Sequence, residues 1–135
     1  MMESYIIFPN LKQTVQSYFD DVWRRGMEYG WINVQYEGQI VMQIWNLPEG
    51  AQKKNIVLNF CPYSYGYGLV HRFKTCPYYP DFAAYDSEED NYMQAAYGMN
   101  IDQALKVASY ILSEVYQIPT SYKLSLDLST PQEKW

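Results

Sequence analysis

The spacing of apolar residues switches twice along the chain, and few folds accommodate both switches. Near the N-terminus apolar side chains recur at helical spacing, from residue 31 they alternate with polar ones, and after residue 100 the helical spacing returns. A period of about 3.6 residues indicates a helix with one buried face, and a period of about two indicates a strand with one buried face. The order therefore predicts an α+β domain. Its sheet should be mainly antiparallel, with about four to six strands, and an N-terminal and a C-terminal helix should pack on one face of it.

The first helix is predicted to begin after Asn10 and to end at Gly26. Asn10 is the expected N-cap, because a short polar side chain can accept a hydrogen bond from an N–H of the first turn. Gly26 is the expected stop, since glycine readily adopts the left-handed conformation that ends many helices. The apolar residues between them form one stripe, which consists of Leu11, Val15, Tyr18, Phe19, Val22 and Trp23.

Alternation between polar and apolar residues predicts a meander of strands in the middle of the chain. Glu37 and Gly38 form the expected turn of the first hairpin, because tight hairpin turns need positive φ angles that glycine accepts. A third, central strand follows a turn over residues 46–52, and a fourth strand completes the meander. The predicted strands are residues 31–36, 40–44, 55–60 and 69–74.

The remaining chain is predicted to hold two helices and a last strand. Residues 87–98 form a short helix that Ser87 caps, and a longer helix begins at Asn100, a second expected N-cap. Pro119 ends that helix, because the residue before a proline disfavours the α conformation. Residues 122–128 alternate between apolar and polar side chains, which predicts a half-buried strand.

The chain has 135 residues, of which 48% are hydrophobic and 19% are charged, as in a folded domain. We therefore expect one domain over residues 1–135, with a frayed tail at 129–135. No apolar run approaches the roughly 20 residues that a membrane span requires, and we expect no secretory signal from the first residues. The net charge of −5 disfavours nucleic acid and favours a basic protein partner. These features predict a cytoplasmic protein that binds neither nucleic acid nor membranes.

Two cysteines and one histidine are the candidates for catalysis or metal binding. Cys61, His71 and Cys76 offer three zinc ligands without the paired spacing of structural sites and without an obvious fourth ligand. The sequence also lacks the motifs of phosphate-binding and calcium loops. We therefore expect ordinary reduced cysteines, no catalytic residue, no cofactor and no metal. A disulfide, and an enzyme that uses a cysteine with His71, are the alternatives.

Tyrosines concentrate between residues 61 and 97, which hold eight of the 15 in the chain. Prolines and glycines interrupt this segment, so much of it is predicted to be irregular. Tyrosine offers a large, rigid contact area and a hydroxyl that tolerates water, and neighbouring carboxylates attract basic partners. The predicted partner-binding residues are Tyr63, Tyr65, Tyr67, Tyr78, Tyr79, Tyr85, Asp86, Glu88, Glu89 and Asp90. In the alternative interpretation, these rings cover the sheet and brace the loops.

The C-terminal third consists of a capped helix (NIDQALKVASYILSEVYQI, 100–118), a proline and an alternating strand (SYKLSLDL, 121–128). This arrangement resembles the closing unit of small bacterial polymorphic-toxin immunity proteins and of type III secretion chaperone-like domains. Both families also begin with a helix and continue with an antiparallel meander. The resemblance implies a cytosolic protein without enzymatic activity that binds another protein.

The resemblance leaves two binding functions beside the enzymatic alternative. Immunity proteins are often acidic because they plug the basic active site of a nuclease toxin, and this implies a toxin as the basic partner. Secretion chaperones are also acidic and are typically dimers, which implies a homodimer that holds an extended segment. We expect an immunity-type inhibitor. A secretion-chaperone-like adaptor dimer and a small Cys/His-dependent enzyme are the alternatives.

Overall fold

Three α-helices and six strands succeed one another in a computed structural model that describes residues 8–62, 66–86 and 91–131. The helices are α1 (Leu11–Arg24), α2 (Tyr67–Lys74) and α3 (Ile101–Tyr110), which a π-helical turn (Ile111–Val115) extends. The strands are β1 (Gly30–Tyr36), β2 (Gln39–Asn46), β3 (Ile56–Phe60), β4 (Ala83–Asp86), β5 (Asn91–Ala96) and β6 (Ser125–Leu128). They form one antiparallel sheet in the order β4-β5-β3-β2-β1-β6, which confirms the α+β class.

The first helix lies where its apolar stripe predicts it, and Gly26 ends it with a φ of 68°. Asn10, however, has a φ of 63°, and its side chain accepts no capping hydrogen bond. Its backbone carbonyl accepts from the N–H of Thr14 at 3.1 Å instead. The prediction of Asn10 as a side-chain N-cap is therefore wrong, because in this left-handed conformation the side chain does not reach the amides of the first turn.

The predicted hairpin between β1 and β2 is confirmed. Glu37 and Gly38 have φ angles of 52° and 81°. Two consecutive positive φ angles are typical of the type I′ turn, whose twist matches that of the flanking strands. A register shift between Val34 and Gln35 follows the turn, and beyond it Ile32 faces Ile44, so both apolar side chains lie on the same face. β3 then pairs with β2, as the third predicted strand should.

Residues 69–74 belong to helix α2, so the predicted fourth strand is wrong. Leu69 and Phe73 are its buried side chains. A separation of four residues places two side chains on the same side of a strand and of a helix alike, so the pattern fits both. The structure decides for the helix, in which Phe73 packs edge-on against Phe60 of β3 with ring centroids 4.8 Å apart.

Residues 91–96 form strand β5, so the predicted helix over residues 87–98 is wrong as well. Along β5 the buried Met93 and Ala95 flank the half-buried Gln94, which is the alternation of a strand. β5 lies between β3 and β4 and pairs with both. These pairings, of which the one with β3 is long-range, override the helical preference of its alanine and glutamine residues. Ser87, the expected cap of this helix, lies outside the described residues.

Helix α3 begins as predicted, since the side-chain oxygen of Asn100 accepts a hydrogen bond from the N–H of Gln103 at 3.1 Å. The chain leaves the helical conformation at Gln117, which has a φ of 61°, two residues before Pro119.

Strand β6 is shorter than the predicted strand over residues 122–128, because pairing with β1 begins only at Ser125. It is also less buried than its alternation suggests, since Leu128 is 47% exposed. β6 lies at the edge of the sheet, where fewer side chains cover it. Residues 132–135 of the predicted frayed tail lie outside the described residues.

One hydrophobic core lies between the sheet and the helices. α1 and α3 contact each other and pack on the same face of the sheet, as predicted. The inward side chains of the strands include Ile32, Val34, Met42, Ile44, Ile56, Leu58, Phe60, Met93 and Ala95. None of the described helices lies on the opposite face. Within the described ranges, no helix combines the length and the apolarity needed to cross a membrane.

Candidate binding surface

The predicted tyrosine surface divides into exposed and packed rings. Tyr67, the first residue of α2, is 94% exposed. Tyr78 and Tyr79 are half-buried against the core. The ring of Tyr78 meets that of Tyr110 at 5.3 Å, and the ring of Tyr79 meets that of Phe73 at 5.1 Å, both edge-on. Tyr67 is therefore available to a partner, whereas Tyr78 and Tyr79 also brace the fold.

The remaining members of the predicted set are placed only in part. Tyr85 and Asp86 lie in the edge strand β4, where their backbones pair with Tyr92 and Asn91. The others lie outside the described residues, and these are Tyr63, Tyr65, Glu88, Glu89 and Asp90.

The cysteines lie in different environments. Neither Cys61 nor Cys76 takes part in a disulfide. Cys76 is buried, and burial raises the pKa of its thiol although the backbone N–H groups of Tyr78 and Tyr79 donate to it. His71 is exposed on α2. A nucleophilic thiol needs a lowered pKa, so the environment of Cys76 is the opposite of what catalysis requires. No three potential metal ligands come together within the described ranges.

We expect iodoacetamide to alkylate Cys76 of the folded protein at neutral pH at least about tenfold more slowly than Cys76 of the urea-unfolded chain. Burial disfavours the thiolate and hinders access of the reagent. Mass spectrometry of the peptide that carries Cys76, sampled over time, measures this rate. The same peptide in urea is the control. Alkylation of the folded protein as fast as that of the unfolded chain would revive the enzymatic alternative.

The sheet face opposite the helices presents aromatic and amide side chains. We call it the helix-free face. Trp31 and Trp45 face each other across β1 and β2, and their rings stack at 4.9 Å with planes inclined by 29°. No strand of the sheet contains a lysine or an arginine. Asp127 of β6, opposite Asn33 in the register, adds an exposed carboxylate. The face is therefore aromatic, amide-rich and without basic side chains on its strands.

Four amides form a continuous row across this face, over β1, β2, β3 and β5. We call Asn33, Gln43, Asn59 and Gln94 the amide row. Gln94 Nε2 donates to Asn59 Oδ1 at 3.1 Å, and Asn59 Nδ2 donates to Gln43 Oε1 at 3.1 Å. Gln43 Nε2 then donates to Asn33 Oδ1 at 2.9 Å. All bonds point the same way, and in such a chain each bond polarises the next.

Trp45 fixes the direction of the amide row. Its indole Nε1 donates to Gln43 Oε1 at 3.3 Å, and an indole nitrogen can only donate. Gln43 must therefore turn its oxygen toward Trp45 and Asn59. Asn59 must in turn direct its oxygen toward Gln94. The row thus ends with Gln94 Oε1, an acceptor with no hydrogen bond from any described residue.

Gln94 lines a recess of about 490 Å³ beside β4, which we call the β4 recess. Its floor consists of small strand residues, namely Val57, Ala83 and Ala96. Glu49, from the loop after β2, and Asp81, just before β4, are exposed residues that also line it. Because β5 and β3 lie between β4 and β2, these carboxylates approach the recess from opposite sides.

Asp81 also connects the β4 recess with the tyrosine-rich segment. The hydroxyl of Tyr97 donates to Asp81 Oδ2 at 3.1 Å. Burial, and the negative charge of Asp81, raise the pKa of Tyr97, so this hydroxyl stays protonated at neutral pH. One carboxylate oxygen of Asp81 thus accepts from Tyr97 beside the recess.

Neither the amide row nor the β4 recess was predicted from the sequence. Asn33, Gln43 and Asn59 are the polar members of strands that are otherwise rich in apolar residues, and each occupies an outward position. This alternation was the available signal. The alternation does not show that the four amides form a row, because they meet only when strands up to 35 positions apart in sequence pair with each other.

Neither protein-family models nor curated proteins nor solved structures give a match to this chain.

Proposed function

We propose that the chain is a non-enzymatic protein-binding domain that neutralises a basic partner protein, as an immunity protein neutralises its toxin. The helix-free face carries this proposal. It combines half-exposed tryptophans and a row of amides with strands that contain no lysine or arginine. Aromatic side chains supply much of the energy of protein interfaces, and strands without cations add no like-charge repulsion against a basic partner.

The tyrosine-rich segment contributes to the same proposal. Asp81, Ala83, Gln94 and Ala96 belong to residues 61–97 and line the β4 recess, so this segment adjoins the helix-free face. We propose that its exposed members, Tyr67 among them, contact the partner beside that face. The raised pKa of the Cys76 thiol weighs against the Cys/His-dependent enzyme.

The proposal is tested with the proteins encoded beside the gene of this chain. Each is produced with and without the chain, and growth and complex formation are measured. We expect one basic product that arrests growth, that is neutralised by the chain, and that forms a one-to-one complex in calorimetry. Failure of every neighbouring product to bind would contradict the proposal. A stable homodimer that binds an extended segment would instead support the adaptor alternative.

Two matched aspartates locate the contact. Asp127 is exposed on the helix-free face, and Asp20 is exposed on α1, on the other side of the sheet. Asp127→Lys should weaken partner binding by about fivefold or more, mainly through slower association and strongest at low salt. Asp20→Lys makes the same charge change and should alter binding by less than about twofold. Equal effects of both variants would contradict contact through the helix-free face.

A further inference from the structure

The β4 recess results from small residues at neighbouring strand positions. Ala96 of β5 pairs with Val57 of β3, and Ala83 of β4 pairs with Gln94 of β5. Antiparallel partners lie on the same face, so a longer side chain at either alanine would occupy the recess. The resulting volume, about 490 Å³, is within the range of small-molecule and side-chain pockets. The recess is thus a depression with an apolar floor in an otherwise aromatic and amide-rich face.

The polar groups around this floor offer acceptors with unused capacity, besides the second N–H of Gln94 Nε2. Gln94 presents Oε1 because Trp45, through Gln43 and Asn59, fixes the direction of the amide row. Glu49 and Asp81 add carboxylate oxygens on opposite sides. Another lining residue, Asn55, is hydrogen-bonded at both ends of its side-chain amide: its Nδ2 donates to Leu47 O at 3.0 Å, and its Oδ1 accepts from Gly98 N at 3.2 Å.

The chain supplies no described cation for these acceptors. The basic residues nearest in sequence to Glu49 are Lys53 and Lys54, and both are engaged elsewhere. Lys53 Nζ lies 2.7 Å from Glu28 Oε1, and Lys54 Nζ lies 5.9 Å from the ring of Trp23. Backbone hydrogen bonds between Glu49 and Gln52, of 3.0 and 2.9 Å, fix the loop in this position. Within the described ranges, no ion pair includes Glu49 or Asp81.

We propose that the β4 recess binds an arginine side chain of the partner protein. This inference rests on the proposed function and specifies which chemical group of the partner enters the recess. The aliphatic part of the arginine lies on Val57, Ala83 and Ala96, as the stems of long basic side chains do on apolar surfaces. Its planar guanidinium group donates to the Gln94 oxygen and to the two carboxylates. Arginine fits better than lysine because it offers five donors in one plane and is more weakly hydrated.

The test uses small arginine analogues as probes. Nitrogen-15 spectra are recorded while N-acetyl-arginine methylamide is added to millimolar concentration, and while the neutral citrulline analogue or the lysine analogue is added in its place. We expect the arginine probe to shift the side-chain amide of Gln94 and the backbone amides of Ala83 and Ala96. The citrulline analogue should shift them by less than a tenth as much. Equal shifts with citrulline overturn the proposal, and equal shifts with lysine overturn the choice of guanidinium.

Matched variants place the probe in the recess. Asp81→Asn should weaken arginine binding by at least about fivefold, whereas Asp127→Asn, on the same face but at the opposite edge of the sheet, should change it by less than twofold. Ala96→Leu should abolish the shifts by filling the recess, and Ala51→Leu, at an exposed loop position, should preserve them. Equal binding by Asp81→Asn and the unchanged protein would overturn the assignment.

Failure of this proposal is distinguishable from failure of the proposed function. If the partner binds but the arginine probe does not, the arginine site is wrong and the binding function stands. If the probe binds in the recess but no neighbouring gene product forms a complex, the arginine site stands and the proposed function is wrong. If the partner and the arginine probe both bind, Ala96→Leu should lower the affinity for the partner by about tenfold or more, while Ala51→Leu leaves that affinity unchanged.

Discussion

Replacement of Asn46 by alanine should lower the free energy of unfolding by at least about 3 kcal/mol, because four polar groups, all at least partly buried in their bonds to Asn46, lose their partner at once. Asn46 is completely buried at the end of β2. Its oxygen accepts from Trp23 Nε1 at 3.0 Å and from the N–H of Asn55 at 2.9 Å. Its Nδ2 donates to the carbonyls of Glu28, at 2.6 Å, and of Lys53, at 3.1 Å.

These bonds join three parts of the chain that local structure alone does not connect. They join the end of α1, the connection from α1 to β1, and the loop between β2 and β3. Urea unfolding monitored by tryptophan fluorescence measures the loss, with an unchanged m-value as the sign of intact two-state behaviour. Asn100→Ala is the matched control, since it removes an exposed cap from α3 and should cost about 1 kcal/mol. A similar loss in both variants would show that burial of the Asn46 network contributes little.

Much of the fold could be predicted because its signals are local. The Glu37–Gly38 turn needs two positive φ angles, and the start of α3 needs a side-chain acceptor at Asn100. Each of these features depends on only a few adjacent residues. The stripe of α1 is equally local. The class and the placement of the outer helices follow from these elements, because an antiparallel sheet with apolar side chains on one face requires a cover.

The two elements that were predicted wrongly lie where the local pattern fits both a helix and a strand, or where strand pairing outweighs the local preference. Leu69 and Phe73 are four residues apart, a spacing that suits a strand and a helix equally. In residues 91–96, alanine and glutamine favour a helix, but pairing with β3 and β4 makes the segment a strand. The pairing with β3 brings together residues more than 30 positions apart, which no window of sequence contains. The β4 recess could not be predicted for the same reason, since β5 forms the centre of its floor.

Only part of the tyrosine surface could be judged from composition. Composition indicates that rings are abundant between residues 61 and 97, but not which of them pack inward. The structure places Tyr79 against Phe73 and leaves Tyr67 almost fully exposed. The two interpretations of the segment, as a contact surface and as a brace, thus apply to different tyrosines, and they make opposite predictions for substitution.

Tyr67→Ala should lower affinity for the basic partner by at least about thirtyfold, or about 2 kcal/mol, if this ring is an anchor of the interface. The same substitution should change the free energy of unfolding by less than about 0.5 kcal/mol, because an exposed ring has few contacts to lose and alanine suits a helix. Calorimetry with the neutralised partner measures the first quantity, and urea unfolding of the variant alone measures the second.

Tyr79→Ala provides the matched comparison, since the same side chain is removed from a packed position. The loss of its edge-on contact with Phe73 should destabilise the domain by about 1 to 3 kcal/mol, and any loss of partner affinity should be smaller than that of Tyr67→Ala. The two measurements separate a contact tyrosine from a structural one. Tyr67→Ala should mainly lower partner affinity, whereas Tyr79→Ala should mainly lower the free energy of unfolding. Unchanged partner affinity in a folded Tyr67→Ala variant would remove this residue from the interface and confine the contact to the helix-free face.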